Sequence, residues 1–244
     1  MRYKITFSYD GTNFNGYQVQ PNLRTVQSEL ERAVSYLNKQ TATPVVASGR
    51  TDKGVHALGQ VSHFNLDINN TLYKIKRGLN SNLPEDIHVI SVEEVDESFH
   101  ARYSVKKKEY IYKINVGEYD PINRNYIYQY NKELDIDSMK KAIKFFEGTH
   151  DFTSFVPLED LKDDPIRTIY KTSIIRNKDI IEISFIGNGF MKYQVRNMVG
   201  LLISIGEGKK KTSDVEAIIN NKSRSQKFKT AAPCGLYLKK VWYN

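Results

Sequence analysis

The amino-acid sequence predicts an α+β fold built on mainly antiparallel sheets. Apolar and polar residues alternate from Arg2 to Tyr9, which is typical of a half-buried strand. Apolar residues then recur at helical spacing from Val26 to Leu37. Further strands and a second helix complete the order β-α-β-β-α-β, which is that of a ferredoxin-like unit.

The remaining elements of the first half follow from local signals. Thr25 is the expected N-cap of the first helix, which should end near Asn38. Strands are expected at residues 45–48 and 60–64, on either side of a polar loop. Thr71 should cap a second helix, and Ile87–Val95 should form the last strand of this half.

The second half has a similar pattern. We expect a strand at residues 108–116, a helix capped by Asp137, and a hairpin formed by residues 167–175 and 179–186. An apolar stripe predicts a long helix at residues 190–205, with Arg196 off the stripe. Ser213 and Glu216 should form a capping box, and residues 236–243 a closing strand. We place the boundary between two domains at 1–104 and 105–244.

Composition narrows the classes of function. The 244 residues carry a net charge of +8 and a pI of about 9.3, which favours a polyanionic partner such as nucleic acid or an anionic membrane surface. No apolar run approaches the roughly 18 residues that a membrane span needs. The single cysteine, Cys234, fits a reducing cytoplasm. The five histidines show no metal-ligand spacing, so no metal is expected.

The stretch ASGRTDKGVHALGQ, residues 47–60, has the clearest chemistry. Arg50 and Asp52 are two residues apart, so in an extended backbone they would point to the same side. The guanidinium would then hold the carboxylate ionised, as a nucleophile requires. Spacing alone favours the simpler interpretation, in which Asp52 is an ordinary turn or cap residue.

Nine segments, in order along nearly the whole chain, resemble one family. GRTDKGVHA resembles the GRTDAGVHA motif of the tRNA pseudouridine synthase I family, the bacterial TruA type. The other eight segments are YDGTNFNGYQVQ from Tyr9, TVQ…LE from Thr25, HAR from His100, KEY from Lys108, HDFTSF from His150, RTI from Arg167, GFM…VRNMVG from Gly189 and APCGLYL from Ala232.

This resemblance implies a fold and an activity. It implies two ferredoxin-like halves that join their sheets around a central basic cleft, with the catalytic loop in the first half, and a homodimer. It implies conversion of uridine to pseudouridine at nucleotides 38, 39 and 40 of the tRNA anticodon stem-loop. The reaction is redox-neutral and isomeric, so no cofactor is expected.

The resemblance also implies roles for individual residues. Asp52 matches the catalytic nucleophile, with attack at uracil C6 or at ribose C1′ both open, and Arg50 would orient it. Tyr110 matches the residue that packs on the uracil, and a phenol can also transfer a proton. Arg196 and Leu236 match a helix arginine and an aliphatic residue near the target base. Without the family resemblance, the sequence pattern indicates that Tyr110 and Leu236 are ordinary core residues. It also indicates that Arg196 lies on a solvated helix face.

Basic residues are the expected contacts to RNA phosphates, which would offset the cost of extruding a stacked uridine. The candidates are Arg24, Lys53, Arg77, Lys106, Lys107, Lys209, Lys210, Lys211 and Lys227. Lys53 stands where the family usually has alanine, which leaves the choice of RNA open. Two alternatives therefore remain: a paralogous pseudouridine synthase acting on another RNA, and a non-catalytic RNA-binding module.

Overall fold

The computed structural model describes residues 1–67, 70–157, 159, 161, 164–223 and 228–244. They form two compact units, Met1–Lys106 with Tyr237–Asn244, and Lys107–Leu236. Each unit contains helices and a mainly antiparallel sheet, so the predicted α+β class is confirmed.

The first unit begins with the predicted β-α-β-β-α-β order. Its elements are β1 (Arg2–Tyr9), α1 (Val26–Leu37), β2 (Val46–Ala47), β3 (His56–Asn65), α2 (Leu72–Asn82) and β4 (Ile87–Val95). The strands pair antiparallel in the order β4-β1-β3-β2. This is the ferredoxin-like arrangement, and β1 at its centre buries Tyr3, Ile5, Phe7 and Tyr9, each at most 4% exposed.

The two helices of this unit begin at the predicted caps. The Thr25 side chain accepts a hydrogen bond from the backbone N–H of Ser28, and the Thr71 side chain accepts one from Lys74. Each satisfies a backbone donor that would otherwise lack a partner in the first turn, which stabilises a helix by about 1 kcal/mol.

The second unit repeats part of this plan. Its elements are β5 (Lys107–Asn115), β6 (Tyr128–Gln129), α3 (Ile136–Ile143), β7 (Gly148–Asp151), β8 (Ile166–Asn177), β9 (Ile180–Gly187), α4 (Gln194–Gly206) and α5 (Asp214–Asn221). The antiparallel order is β5-β9-β8-β7, with β6 parallel to β5. The rings of Phe146, Phe155 and Phe185 meet in its core, with centroids 5.4 and 6.2 Å from that of Phe146.

The last strand, β10 (Leu236–Trp242), belongs to the first unit from Tyr237 onward. It runs parallel to β3, with Tyr237 opposite His56 and Leu238 opposite Ala57. Within the described residues, none of the helices combines the length and the apolar composition that crossing a bilayer requires.

Four local predictions need correction. The strand predicted from residue 60 begins at His56, because its first residues pair with Tyr9 and with β10. The cap of α3 is Asp135 rather than Asp137, since the Asp135 carboxylate accepts from the Ser138 N–H. The Ser213 side chain makes no capping hydrogen bond, so the predicted capping box does not form.

The fourth correction concerns α4, which begins at Gln194 and not at residue 190. Residues 191–193 form a turn in which the Gln194 N–H donates to the Met191 carbonyl at 3.1 Å. Tyr193 adopts a left-handed conformation with φ of +60°. A tyrosine seldom adopts this backbone geometry, so apolar periodicity could not have indicated it.

Candidate active site

Asp52 lies in a tight turn between β2 and β3. The Val55 N–H donates to the Asp52 carbonyl at 3.2 Å, and Gly54 has a φ of +76°. A glycine with positive φ at the third position is typical of a type II turn. Asp52 therefore is a turn residue, and it is only partly buried.

The residue before Asp52 is held from two sides. The Thr51 hydroxyl is 2.7 Å from the Tyr9 hydroxyl, and both side chains are buried. The Thr51 carbonyl accepts from the Tyr17 N–H at 3.1 Å. Burial raises the pKa of Tyr9 far above its ordinary value, so the phenol remains a neutral hydrogen-bonding group. These contacts fix the backbone that carries Asp52.

A second buried group supports the start of the same loop. The Gln60 amide oxygen accepts from the Ser48 hydroxyl at 2.7 Å, and its nitrogen donates to the Gly49 carbonyl at 2.9 Å. Gln60 and Ser48 are at most 1% exposed. The sequence did not predict this network, since a contact between residues 12 positions apart leaves no local pattern.

The loop after β1 packs directly against the loop that carries Asp52. A Cβ on Gly11 would lie 2.0 Å from the Val55 carbonyl oxygen, so only glycine fits there. The Gly11 N–H donates to Nδ1 of His56 at 3.0 Å. Asp10 Oδ1 is 3.1 Å from the same nitrogen. Because the backbone N–H can only donate, we assign Nδ1 as the acceptor, and the Asp10 contact is not an ion pair in this tautomer.

Arg50 does not hold Asp52 as the sequence spacing suggested. Its side chain is exposed and makes no ion pair with Asp52, both residues being in the described part of the chain. The i, i+2 rule holds for an extended strand, whereas residues 50–52 lie outside the strands, between the end of β2 and the start of β3. Arg50 and Lys53 are both exposed, so either side chain can bind an anionic group of a ligand.

Tyr110 lies on β5 in the second unit. It is 8% exposed, and its ring meets that of Phe190 edge to face, with centroids 5.2 Å apart. Phe190 lies in the segment that leads into α4. This contact orients the phenol ring while leaving a small part of it accessible.

Arg196 is anchored to a neighbouring segment by two hydrogen bonds. Its Nε donates to the Ala231 carbonyl at 2.8 Å, and its own carbonyl accepts from the Ala231 N–H at 3.1 Å. The guanidinium carbon is 5.0 Å from the centre of the Tyr193 ring. The residue is half-buried, between the solvated position and the core position that the sequence pattern alone allows.

The same segment continues towards Leu236. The Tyr112 hydroxyl donates to the Ala232 carbonyl at 2.8 Å, and a Cβ on Gly235 would lie 2.8 Å from the Tyr112 ring. Leu236 itself is 5% exposed. In the second unit, Arg196 of α4 and Tyr112 of β5 therefore both anchor the segment that leads to Leu236.

The proposed phosphate-binding residues differ in their surroundings. Arg24 forms a bidentate ion pair with Asp86, at 2.7 and 2.8 Å, and its guanidinium carbon lies 4.2 Å from the centre of the Phe14 ring. A phosphate at Arg24 would compete with that pair. Arg77, Lys106 and Lys211 are exposed, and Lys209 is exposed but paired with Glu207. Lys227 lies outside the described residues.

Among the described residues, no three histidine, cysteine, aspartate or glutamate side chains lie close enough together to hold a metal ion. The groups available for chemistry in the residues discussed above are thus a carboxylate, a phenol and guanidinium groups. A carboxylate can serve as a nucleophile, a phenol can transfer a proton, and a guanidinium can stabilise negative charge.

Comparison with known proteins defines the class. A family model described as tRNA pseudouridine synthase matches residues 5–104 and 142–244. The chain is 48% identical over 244 residues to a tRNA pseudouridine synthase A from Geobacillus sp. (strain WCH70), covering all of this chain and 98% of the relative. It is 46% identical to tRNA pseudouridine synthase A 1 from Bacillus cereus, covering 100% and 99%.

These matches identify an enzyme of the isomerase class. The chain belongs to the tRNA pseudouridine synthase family.

Proposed function

We propose that this enzyme converts uridine to pseudouridine at nucleotides 38, 39 and 40 of the tRNA anticodon stem-loop, with Asp52 as the nucleophile. Its family membership supports the reaction and the tRNA substrate. The observation that carries the role of Asp52 is its place on a turn whose preceding residue is fixed by Tyr9 and Tyr17. A preorganised nucleophile of this kind lowers the entropic part of the barrier.

The reaction breaks the N1–C1′ bond of uridine and forms a C5–C1′ bond. The proton on C5 leaves and N1 gains a proton, so atoms and charge balance without an oxidant, a reductant or a cofactor. In our proposal Asp52 attacks either uracil C6 or ribose C1′ and is released when the new bond is complete. Arg50 would act on the RNA, because it does not pair with Asp52 in the free protein.

Tyr110 is proposed to act on the uracil. Its ring would stack on the base, and its phenol would relay the C5 proton, giving up its own proton as it takes up that one. Arg196 would stabilise negative charge that develops during bond breakage, and Leu236 would contact the base. Anchoring of Arg196 on Ala231 supports this role, since a guanidinium that is already oriented loses less entropy when it binds.

Exposed cations are proposed to bind the RNA backbone. Lys53 and Arg77 are the strongest candidates, because both are exposed and no described residue forms an ion pair with either. A net charge of +8 supports a polyanionic substrate. We further propose a homodimer in the cytoplasm, as the resemblance to the bacterial family implies and as the tRNA substrate requires.

Release of tritium from tRNA labelled at uridine C5 tests the function. The wild-type protein should release tritium, and Asp52→Ala should release none while it binds the same tRNA with similar affinity. Release by Asp52→Ala at the wild-type rate would disprove the nucleophile. Tight tRNA binding without release by the wild-type protein would instead support the non-catalytic alternative.

A further inference from the structure

One exposed tyrosine in the first unit is held in a fixed position without being buried. Tyr103 is 76% exposed, yet its ring lies against that of His100 with centroids 4.3 Å apart and 33° between planes. The guanidinium carbon of Arg102 is 5.7 Å from the ring centre. We call Arg102 and Tyr103, with the supporting His100 ring, the Tyr103 platform.

The backbone beneath this platform is rigidly hydrogen-bonded. Nδ1 of His100 accepts from the N–H groups of Arg102 and Tyr103, at 3.2 and 3.3 Å. The His100 N–H donates to the Ser104 hydroxyl at 3.0 Å, and the Ser104 N–H donates to the His100 carbonyl at 2.9 Å. These four bonds close residues 100–104 into a compact turn that projects the Tyr103 ring.

The turn is also attached to the core of the unit. Ala101 is fully buried, and its N–H donates to Nδ1 of His63 on β3 at 3.1 Å. Its carbonyl accepts from the Tyr243 hydroxyl at 2.8 Å. The His63 ring packs edge to face on the His100 ring, with the two ring centroids 4.9 Å apart. The Tyr103 ring is therefore exposed although the backbone that carries it is anchored to the core of the unit.

Three other exposed tyrosines lack this support. Tyr36, Tyr73 and Tyr170 are 59%, 71% and 53% exposed, and in the part of the chain that the structure describes no aromatic ring or cation lies over any of them. Arg102, for its part, has no carboxylate partner among the described residues. The Tyr103 platform combines a supported aromatic face with an uncompensated positive charge.

We propose that the Tyr103 platform binds one unpaired nucleotide of the RNA substrate, with its base stacked on Tyr103 and its phosphate on Arg102. Every nucleobase has a face that can stack on an aromatic ring, and an adjacent cation recognises the linked phosphate. The chemistry fits RNA better than a protein partner, because the neighbouring Lys106 and Arg102 are both exposed cations. The proposal rests on the proposed function, since it presupposes that RNA is the substrate.

The nucleotide bound there is not the target uridine. His63, behind the platform, is seven residues along β3 from His56, which follows the catalytic loop. At about 3.3 Å per residue these positions are roughly 20 Å apart. The Tyr103 platform should therefore contribute to binding of the RNA and not to bond breakage.

Affinity for tRNA tests the proposal, with Tyr73→Ala as a control for loss of an equally exposed tyrosine in the same unit. We expect Tyr103→Ala to raise the Kd and the KM for tRNA by roughly 10- to 100-fold with kcat unchanged. Tyr103→Phe should retain wild-type affinity, and Tyr73→Ala should change nothing. Arg102→Gln should reduce the salt dependence of binding by about one phosphate contact.

Two results would overturn the proposal that the Tyr103 platform binds a nucleotide. One is a Tyr103→Ala variant that binds tRNA as tightly as Tyr73→Ala does at the same ionic strength. The other is a change in oligomeric state with Tyr103→Ala, which would make the platform a protein interface. Both leave wild-type turnover intact, whereas failure of the proposed function would appear as a wild-type protein that forms no pseudouridine.

Discussion

Asp52 depends on residues that are not themselves reactive. It is only partly buried, and its position is set by Thr51, which the Tyr9 hydroxyl and the Tyr17 backbone hold. A displacement of about 1 Å at a nucleophile can cost a hundredfold in rate. The buried hydroxyl pair beneath the loop should therefore matter for turnover more than for folding.

Removing the Tyr9 hydroxyl tests this positioning role. Tyr9→Phe should lower kcat by roughly ten- to a hundredfold with an unchanged KM for tRNA, because Thr51 loses its side-chain partner. Tyr17→Phe is the matched control, since it removes an equally buried hydroxyl that contacts Ser62 and not the loop. Equal kcat values in the two variants would contradict the role of Tyr9.

Removing the Tyr110 hydroxyl separates stacking from proton transfer. Tyr110→Phe keeps the ring that meets Phe190, so tRNA affinity should persist while turnover falls by about a hundredfold or more. Tyr112→Phe, the control, loses only a hydrogen bond to Ala232, which should cost about 1 kcal/mol of stability. Wild-type turnover by Tyr110→Phe would show that the phenol transfers no proton.

Among the elements, α4 determines how Arg196 is presented. The helix begins only after the left-handed Tyr193, and residues 229–231 run so close to it that a Cβ on Gly200 would lie 1.8 Å from the Lys229 carbonyl oxygen. That close approach places Ala231 within hydrogen-bonding distance of Arg196. The glycine therefore indirectly positions the guanidinium.

A methyl group at this position should separate the two elements. We expect Gly200→Ala to lower the free energy of unfolding by about 1–3 kcal/mol, and to reduce turnover further as the Arg196 anchor is lost. Gly189→Ala is the control, because its Cβ would meet only the Arg167 side chain, at 3.7 Å. Chemical denaturation of both variants measures the difference, and equal stabilities would refute the packing argument.

The sequence predicted elements where a local signal decides the structure. The alternation of apolar and polar residues predicted both ends of β1 correctly. Thr25 and Thr71 correctly predicted the N-caps of the two helices in the first unit. It could not predict the start of α4, since the Tyr193 conformation has no local signal. The i, i+2 spacing of Arg50 and Asp52 could not predict an ion pair, because that rule needs a strand and residues 50–52 lie between β2 and β3. The Tyr9–Thr51 contact joins residues 42 positions apart, which no local pattern records.

For the molecule as a whole, stability should depend on pH through His63. Burial, with the nearby charges of Arg2 and His100, lowers the pKa of His63 from 6.5 to about 4. Between pH 6.5 and 4 the unfolded chain therefore binds a proton that the folded chain does not. The free energy of unfolding should be unaffected by His63 above this range and fall by about 2–3 kcal/mol through it.

His63→Asn tests this linkage, because an amide oxygen can still accept from the Ala101 N–H but does not titrate. Denaturation curves measured from pH 7 to pH 4 should fall more steeply for the wild-type protein than for the variant. Parallel curves would mean that His63 takes up its proton equally well in the folded state.

The central claim is that Asp52 converts specific uridines of tRNA. The most direct test is to map pseudouridine, nucleotide by nucleotide, in unmodified tRNA transcripts incubated with the purified protein or with Asp52→Asn. We predict pseudouridine at nucleotides 38, 39 and 40 with the wild-type protein and none with the variant. Modification by Asp52→Asn, or modification confined to other nucleotides, would contradict the claim.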